Sequence, residues 1–319
     1  MVNIATLVNL PSLEDDLRRL EQGLRDAVAS DDPFLAEVAG HLIGAGGKRL
    51  RPALALAAAA TGGQQPGEAV LQGGIAVELV HLGSLYHDDV MDEASSRRGV
   101  QSVNARWGNL VAILAGDFLL ARASEIAASL GTEVAALLAA TIGRLCEGQV
   151  GELQTAFSVE RTEEAYLRSI RGKTASLLAT ACRIGALTGG LERTAVEALT
   201  RYGEALGMVF QIRDDILDVV GTDAELGKPA GNDLVEGVYT LPVIRALADP
   251  VLGPELRTLL GKPLDQPERD KARGIVRAST GVADSVAAAR RYADEAAAAL
   301  EPLGPTSLAS LGHSLLDDL

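Results

Sequence analysis

The chain has 319 residues, 47% of them hydrophobic and only 3% aromatic, with a formal net charge of −14. That length would allow two average domains, but no linker composition interrupts it, so a single domain over residues 1–319 is expected, with an aliphatic, Ala-rich core suited to close-packed helices. The acidic balance argues against nucleic acid, and against an anionic membrane surface, as partners, because basic surfaces bind both. A phosphorylated small substrate would need a local basic cluster instead.

Residues 1–10 lack the basic start and small-residue cleavage site of a secretory signal. No uncharged, strongly apolar run reaches the ~18 residues needed to span a bilayer. Leu13, Leu17, Leu20 and Leu24 then mark an amphipathic opening helix. Pro33, after Asp31 and Asp32, fits the first turn of a second. Gly46-Gly47-Lys48-Arg49-Leu50-Arg51-Pro52 reads as a loop entering a helix near Pro52. The Gly-Gly pairs at 46–47, 62–63, 73–74 and 189–190 read as helix ends or breaks.

Helical periodicity continues almost to the end of the chain; a short segment, Ser95 to Gly99, follows the first acidic motif, and Lys173-Thr174 open another turn of helix. The stretch Gly221 to Tyr239, with Gly227, Lys228 and Pro229, has the composition of a loop able to close over a phosphate. A turn-rich segment from Gly261 to Pro267 precedes an Ala-rich helix near Val282 to Leu300. No run of alternating β-branched residues appears, so the fold expected is all-α. Cys146 and Cys182, the only cysteines, lack metal-ligand spacing and point to buried thiols in a reducing compartment.

Function is written most clearly in Asp88-Asp89-Val90-Met91-Asp92 and Asp214-Asp215-Ile216-Leu217-Asp218. On a helix, residues four apart lie one above the other, so each motif gathers three carboxylates on one face. Such like charges destabilise an isolated helix by roughly 0.2–0.5 kcal/mol a pair. With 21 aspartates in 319 residues, chance would supply the pattern roughly 0.09 times, so two copies are a strong signal. Mg²⁺, which takes one or two carboxylates together with phosphate oxygens and water, is the natural counter-ion.

Lys48 and Arg51, Arg97 and Arg98, Lys173 with Thr174, and Gln211 one turn before Asp214 are candidate counter-groups for two diphosphates. His81, two turns before Asp88 on roughly the same face, is a candidate phosphate contact; His87 reads as structural.

Together these residues resemble the trans-isoprenyl diphosphate synthases. The motifs run in that family's order from about residue 40 to 245: Gly46 to Pro52, Asp88 to Asp92 with Arg97-Arg98-Gly99, Lys173-Thr174-Ala175, Gln211 to Asp218, Gly227-Lys228, and Thr240-Leu241-Pro242. The resemblance implies a helical bundle around a central cavity, with the two motifs facing each other at its mouth. It also implies Mg²⁺, three ions with substrate bound, held by Asp88, Asp89, Asp92, Asp214, Asp215 and Asp218. Arg97, Lys173 and Lys228 would hold an allylic diphosphate, and Lys48, Arg51, His81 and Arg98 isopentenyl diphosphate. A homodimer in the cytoplasm, with no transmembrane segment, is expected. Val238 stands where family members often have a lysine, which removes one expected contact to the allylic diphosphate.

Val80, Gly83 and Ser84 lie one to two turns before Asp88 and are the candidate chain-length residues. Small residues there would admit a long tail, predicting an all-trans product of roughly six to ten isoprene units. A shorter-chain synthase and a catalytic subunit dependent on a small partner are the nearest alternatives. A terpene cyclase needs no second diphosphate site and usually lines its cavity with aromatics, and two intact acidic motifs speak against a non-catalytic subunit.

Overall fold

The computed structural model describes residue 10 and residues 12–223 and 229–319. Its helices are joined by short turns, and the only β-structure among the described residues is a two-stranded hairpin, β1 (Ser96–Arg97) with β2 (Val100–Gln101). The all-α expectation holds. Contacts divide the chain into two compact units: one takes the described residues up to Ile142 with Leu177–Gly203 and Leu300–Leu308, the other Gly143–Ser176, Glu204–Ala299 and Ala309–Leu319.

The first unit opens with α1 (Leu13–Ala27), whose Leu13, Leu20 and Leu24 are buried at the predicted spacing. Asp32 caps α2 (Pro33–Gly44), its side chain accepting from the backbone N–H of Phe34 at 2.9 Å and so satisfying a donor the helix cannot. α3 (Leu50–Ala60) is Leu and Ala almost throughout and buried on nearly every side, as a helix without a polar face must be. It begins two residues before Pro52, so Arg51 belongs to the helix and not to the loop.

α4 (Glu68–Met91) packs against α3 and, most extensively, against α6 (Asn109–Ser129); the short α5 (Val103–Trp107) lies between hairpin and α6. By length and composition α4 could cross a bilayer, yet most of its apolar stretch is buried inside this unit and Glu78 interrupts it. The Gly73-Gly74 pair is not a break: it lies inside α4. A Cβ on Gly73 would meet Ile184 Cγ2 at 2.5 Å, so the glycine lets a neighbouring helix approach.

Within α7 (Thr132–Leu153) the chain passes to the second unit, which holds α8 (Glu163–Ile170) and a π-helical turn (Arg171–Ala175). α9 (Ser176–Thr188), from Leu177, and the start of α10 (Arg193–Val220) belong to the first unit, and α10 from Glu204 to the second. Beyond these come α11 (Asn232–Val235), α12 (Leu241–Leu247), α13 (Gly253–Leu259), α14 (Gln266–Ala278), α15 (Gly281–Ala299) and α16 (Leu311–Ser314). Val219, Leu234, Tyr239, Val243, Leu256 and Val276 form its core. A capping box between Asp265 and Glu268 starts α14, as that spacing allows.

The segment expected to be a loop from Gly221 to Tyr239 therefore holds a short helix, while Gly227 and Lys228 lie outside the described residues. The cysteine expectation holds for Cys182 alone: Cys146 is exposed, because it occupies the outward side of α7.

Gly185 of α9 sits against α3, and a Cβ there would fall 2.0 Å from the Ala55 carbonyl oxygen. Gly185→Ala is expected to force these helices apart and destabilise the protein by roughly 1–3 kcal/mol, read as a lower urea midpoint with secondary structure retained.

Candidate active site

In the first unit, Glu78, His81, Asp88 and Asp92 recur on one face of α4. The helix ends at Met91, and the hairpin that follows turns through Arg98 and Gly99, both at positive φ (54° and 77°). The hairpin is tied to the end of α4: Asn104 Nδ2 donates to the carbonyls of Asp89 (2.9 Å) and Ala94 (3.1 Å), and Ser102 Oγ donates to Ala94 at 2.5 Å.

This delivers Arg97 to Asp89, with Nε donating to Oδ1 at 2.7 Å. Asp89 is fully buried, and its second oxygen, Oδ2, has no hydrogen-bond partner. Burial raises its carboxyl above the usual range, the Arg97 guanidinium opposes that rise, and neighbouring Asp92 adds to it. A buried carboxylate oxygen left over beside two further aspartates suits a hard cation.

The basic residues assemble next to this face. Arg49, at φ 48°, precedes α3 and is buried, donating from Nη1 to Glu78 at 2.9 Å and from Nε to Glu21 at 2.5 Å. Arg98 donates to the carbonyls of Gly46 and Leu42 and lies 3.8 Å from Glu78. Arg51 has a buried Nε without a partner, and its guanidinium is pushed down to about 10, first by burial and then by Arg98, against the pull of Glu78.

His81 is held well below the ordinary histidine range by burial and by Arg51, Arg98, Arg49 and Arg97, so it is neutral at pH 7. Four guanidiniums around one neutral imidazole make a strongly anion-attracting surface. Lys48 is exposed on the loop beside it. The buried ion pairs of Arg49 leave no sign in the basic run it belongs to, and Glu78 is not among the expected site residues, its position three residues before His81 being the available signal.

The candidate chain-length residues are placed less uniformly. Val80 is fully buried, and Ser84 donates its hydroxyl to the His81 carbonyl at 2.8 Å. Gly83 faces α6, where a Cβ would meet the Gly116 carbonyl oxygen at 3.0 Å and Leu120 at 3.2 Å. A bulky residue at 83 would have to displace α6 before it could reach any tail, so Ser84 is the cleaner position to alter.

In the second unit Asp214, Asp215 and Asp218 lie on α10. Asp215 is buried and receives hydrogen bonds on both oxygens, from Tyr166 Oη (2.5 Å) and Gln211 Nε2 (2.8 Å). Thr174 Oγ1 donates to Gln211 Oε1 at 2.6 Å, so the π-helical turn is linked through one amide to the carboxylate. Such turns recur at functional sites because they displace one side chain from the helical register. Burial pushes the Asp215 carboxyl up to about 7, with Asp214 and Glu152 adding and the two hydrogen bonds opposing.

The backbone N–H of Asp233 donates to Asp218 at 3.3 Å, and Lys173 pairs with Glu152 at 2.8 Å. Arg161, buried, lies over the Tyr166 ring and donates to the Tyr239 carbonyl. Tyr166, Arg161 and Glu152 carry no motif signal in the sequence. Among the described residues, no three acidic, histidine or cysteine side chains come close enough to hold a metal ion by themselves. An ion at either motif would therefore need oxygens from a ligand and from water.

The polyprenyl synthetase family model matches residues 32–276. The chain belongs to this family. It is 41% identical over 292 residues to heptaprenyl diphosphate synthase component 2 of Geobacillus stearothermophilus, covering 91% of each chain. To the nonaprenyl diphosphate synthase of Mycobacterium tuberculosis it is 40% identical over 300 residues, 92% of this chain and 89% of that one. The crystal structure of a decaprenyl diphosphate synthase from Rhodobacter capsulatus superimposes with a TM-score of 0.88 at 35% identity, over 96% of this chain and 97% of that one. As a family member the chain is a prenyltransferase.

Asp215 should leave a mark on stability. Its folded-state value of about 7 lies above the ordinary 3.8, so the metal-free folded state binds the extra proton and this contribution is lost as pH rises through 7. Asp215→Asn should flatten that decline. The stability difference between variant and wild type is expected to shift in the variant's favour by a few kcal/mol, on the order of 1.4 kcal/mol per pH unit, between pH 4 and 8. Urea titrations in EDTA measure it, and a difference independent of pH would show that Asp215 ionises normally.

Proposed function

We propose that the chain is a long-chain all-trans polyprenyl diphosphate synthase. It condenses isopentenyl diphosphate head to tail onto an allylic diphosphate, with Mg²⁺, to a product of about six to ten isoprene units. The observation that carries this reading is near-full-length similarity to relatives named for heptaprenyl, nonaprenyl and decaprenyl products. The small residue Ser84 one turn before Asp88 supports it.

In this reading residues 1–319 act as one cytoplasmic domain; the family match takes in parts of both compact units. Asp88, Asp89, Asp92, Asp214, Asp215 and Asp218 hold Mg²⁺, three ions when substrate is bound. When bound there, the ions would supply Lewis-acid stabilisation of the charge developing on the leaving diphosphate.

Arg97, Lys173 and Lys228 grip the same diphosphate. Arg97 and Lys173 exchange Asp89 and Glu152 for phosphate oxygens, while Thr174 and Gln211 keep Asp215 oriented. Arg51, Arg98, His81 and Lys48 receive isopentenyl diphosphate.

The allylic carbon–oxygen bond breaks, its electron pair leaving with diphosphate. The double bond of isopentenyl diphosphate then attacks the allylic carbon, and a proton is lost to the released diphosphate. The aliphatic surroundings keep water from the cation.

A homodimer fits the same reading, since Leu110 and Leu114 at the start of α6 are 79% and 66% exposed. A second possibility, activity only with a separate component, is favoured by the "component 2" in the name of the Geobacillus stearothermophilus relative.

Purified chain given labelled isopentenyl diphosphate, Mg²⁺ and farnesyl diphosphate is expected to yield all-trans lipids of about C30–C50. Products no longer than C20 would establish a shorter-chain synthase, and absence of product would point to the partner-dependent reading. Ser84→Phe is expected to shorten the product to about C15–C20 by occupying the pocket's first layer; an unchanged length on chromatography would remove Ser84 from that role.

A further inference from the structure

We propose that Glu78 is the positioning residue of the isopentenyl diphosphate subsite: one buried carboxylate holds Arg49 and Arg98 so that Arg51 and Arg98 stand ready for a diphosphate. This rests on the function proposed above. Glu78 is 2% exposed, in the middle of a helix whose neighbouring positions are almost all apolar. A carboxylate in such a place is costly unless paired. It accepts from Arg49 at 2.9 Å and lies 3.8 Å from Arg98.

Those two arginines are unusual in their backbones. Both adopt left-handed φ, 48° and 54°, which residues with a Cβ rarely do and which persists only where surroundings over-determine it. Their guanidiniums crowd the same spot: a Cβ on Gly47 would lie 2.9 Å from Arg98 Nη1 and 3.0 Å from Arg49 Nη1. Like charges packed so closely repel, and Glu78 is the anion that touches both. Glu21 reaches Arg49 alone by hydrogen bond.

The arrangement leaves Arg51 short of partners. Its buried Nε makes no hydrogen bond, and burial and Arg98 weaken its hold on the proton while Glu78 restores part of it. One carboxylate thus holds Arg49 and Arg98 while the Arg51 Nε stays without a partner. A fork aimed in advance loses less freedom on binding than one that must be ordered by the ligand.

Two effects compete when Glu78 is neutralised. The field becomes more positive, which would tighten anion binding; the arginines lose their common anchor, which would weaken it. The proposal is that the second dominates.

The test is Glu78→Gln in the full chain, with Glu21→Gln as a control. In steady state, KM for isopentenyl diphosphate should rise about 10- to 100-fold, the scale of losing charge-assisted hydrogen bonds. KM for farnesyl diphosphate should move less than about twofold, and Glu21→Gln should change either KM by less than about threefold. Inorganic pyrophosphate titrated calorimetrically into the protein in EDTA should bind correspondingly more weakly to Glu78→Gln.

An unchanged or lowered KM for isopentenyl diphosphate, or a loss confined to kcat in proportion to misfolded protein, would overturn the proposal. Should Glu78→Gln fail to fold, Glu78→Asp decides by the same KM criterion, at about 3- to 10-fold. Wild-type chain that makes no prenyl product would instead point to the partner-dependent reading, leaving the pyrophosphate titration to judge Glu78.

Discussion

A carboxylate buried in a helical wall must be protonated, paired with a cation or supplied with hydrogen bonds, because its charge has lost the water that stabilised it. The first motif buries Asp89, and the second buries Asp215 and Asp218. Asp89 meets the demand with Arg97 and still keeps one oxygen without a partner. Asp215 meets it with Tyr166 and Gln211, at a carboxyl value raised to about 7. Asp89 thus keeps one buried oxygen to offer a ligand, whereas both oxygens of Asp215 already accept hydrogen bonds.

The positive groups obey the complementary rule. Arg97 and Lys173 are engaged by carboxylates, so a ligand must compete for them. Arg98 donates to backbone carbonyls and lies 3.8 Å from the carboxylate of Glu78, while the Arg51 Nε stays without a partner and His81 is neutral. In the function proposed, this face receives a diphosphate with little rearrangement of its side chains. The strongly acidic net charge of the chain is no obstacle, since a local cluster decides the field a small anion meets.

Much of this was legible in the sequence. Aspartates at i and i+4 on helical segments, glycines beside a basic run, and an aliphatic composition suffice for the helical class and point to most of the candidate site residues. What could not be read depends on which neighbours the fold brings to a helix face. Gly73-Gly74 looked like a break but serves close approach, and Gly83 looked like an opening but packs on α6. Cys146 matched a buried pattern yet lies outward. Tyr166 and Glu78 are ordinary letters until the structure sets them against Asp215 and Arg49. Lys228, the remaining basic residue expected at the site, falls outside the described residues.

The central claim is that the two aspartate motifs hold divalent ions only when diphosphate completes their coordination. Counting bound Mn²⁺ by electron paramagnetic resonance, with and without a non-reactive farnesyl thiodiphosphate, tests it most directly. The account expects weak binding to the protein alone and about three tightly held ions with the analogue, falling when Asp89 and Asp215 are replaced by asparagine. Tight binding without the analogue, or an ion count that ignores those replacements, would contradict it.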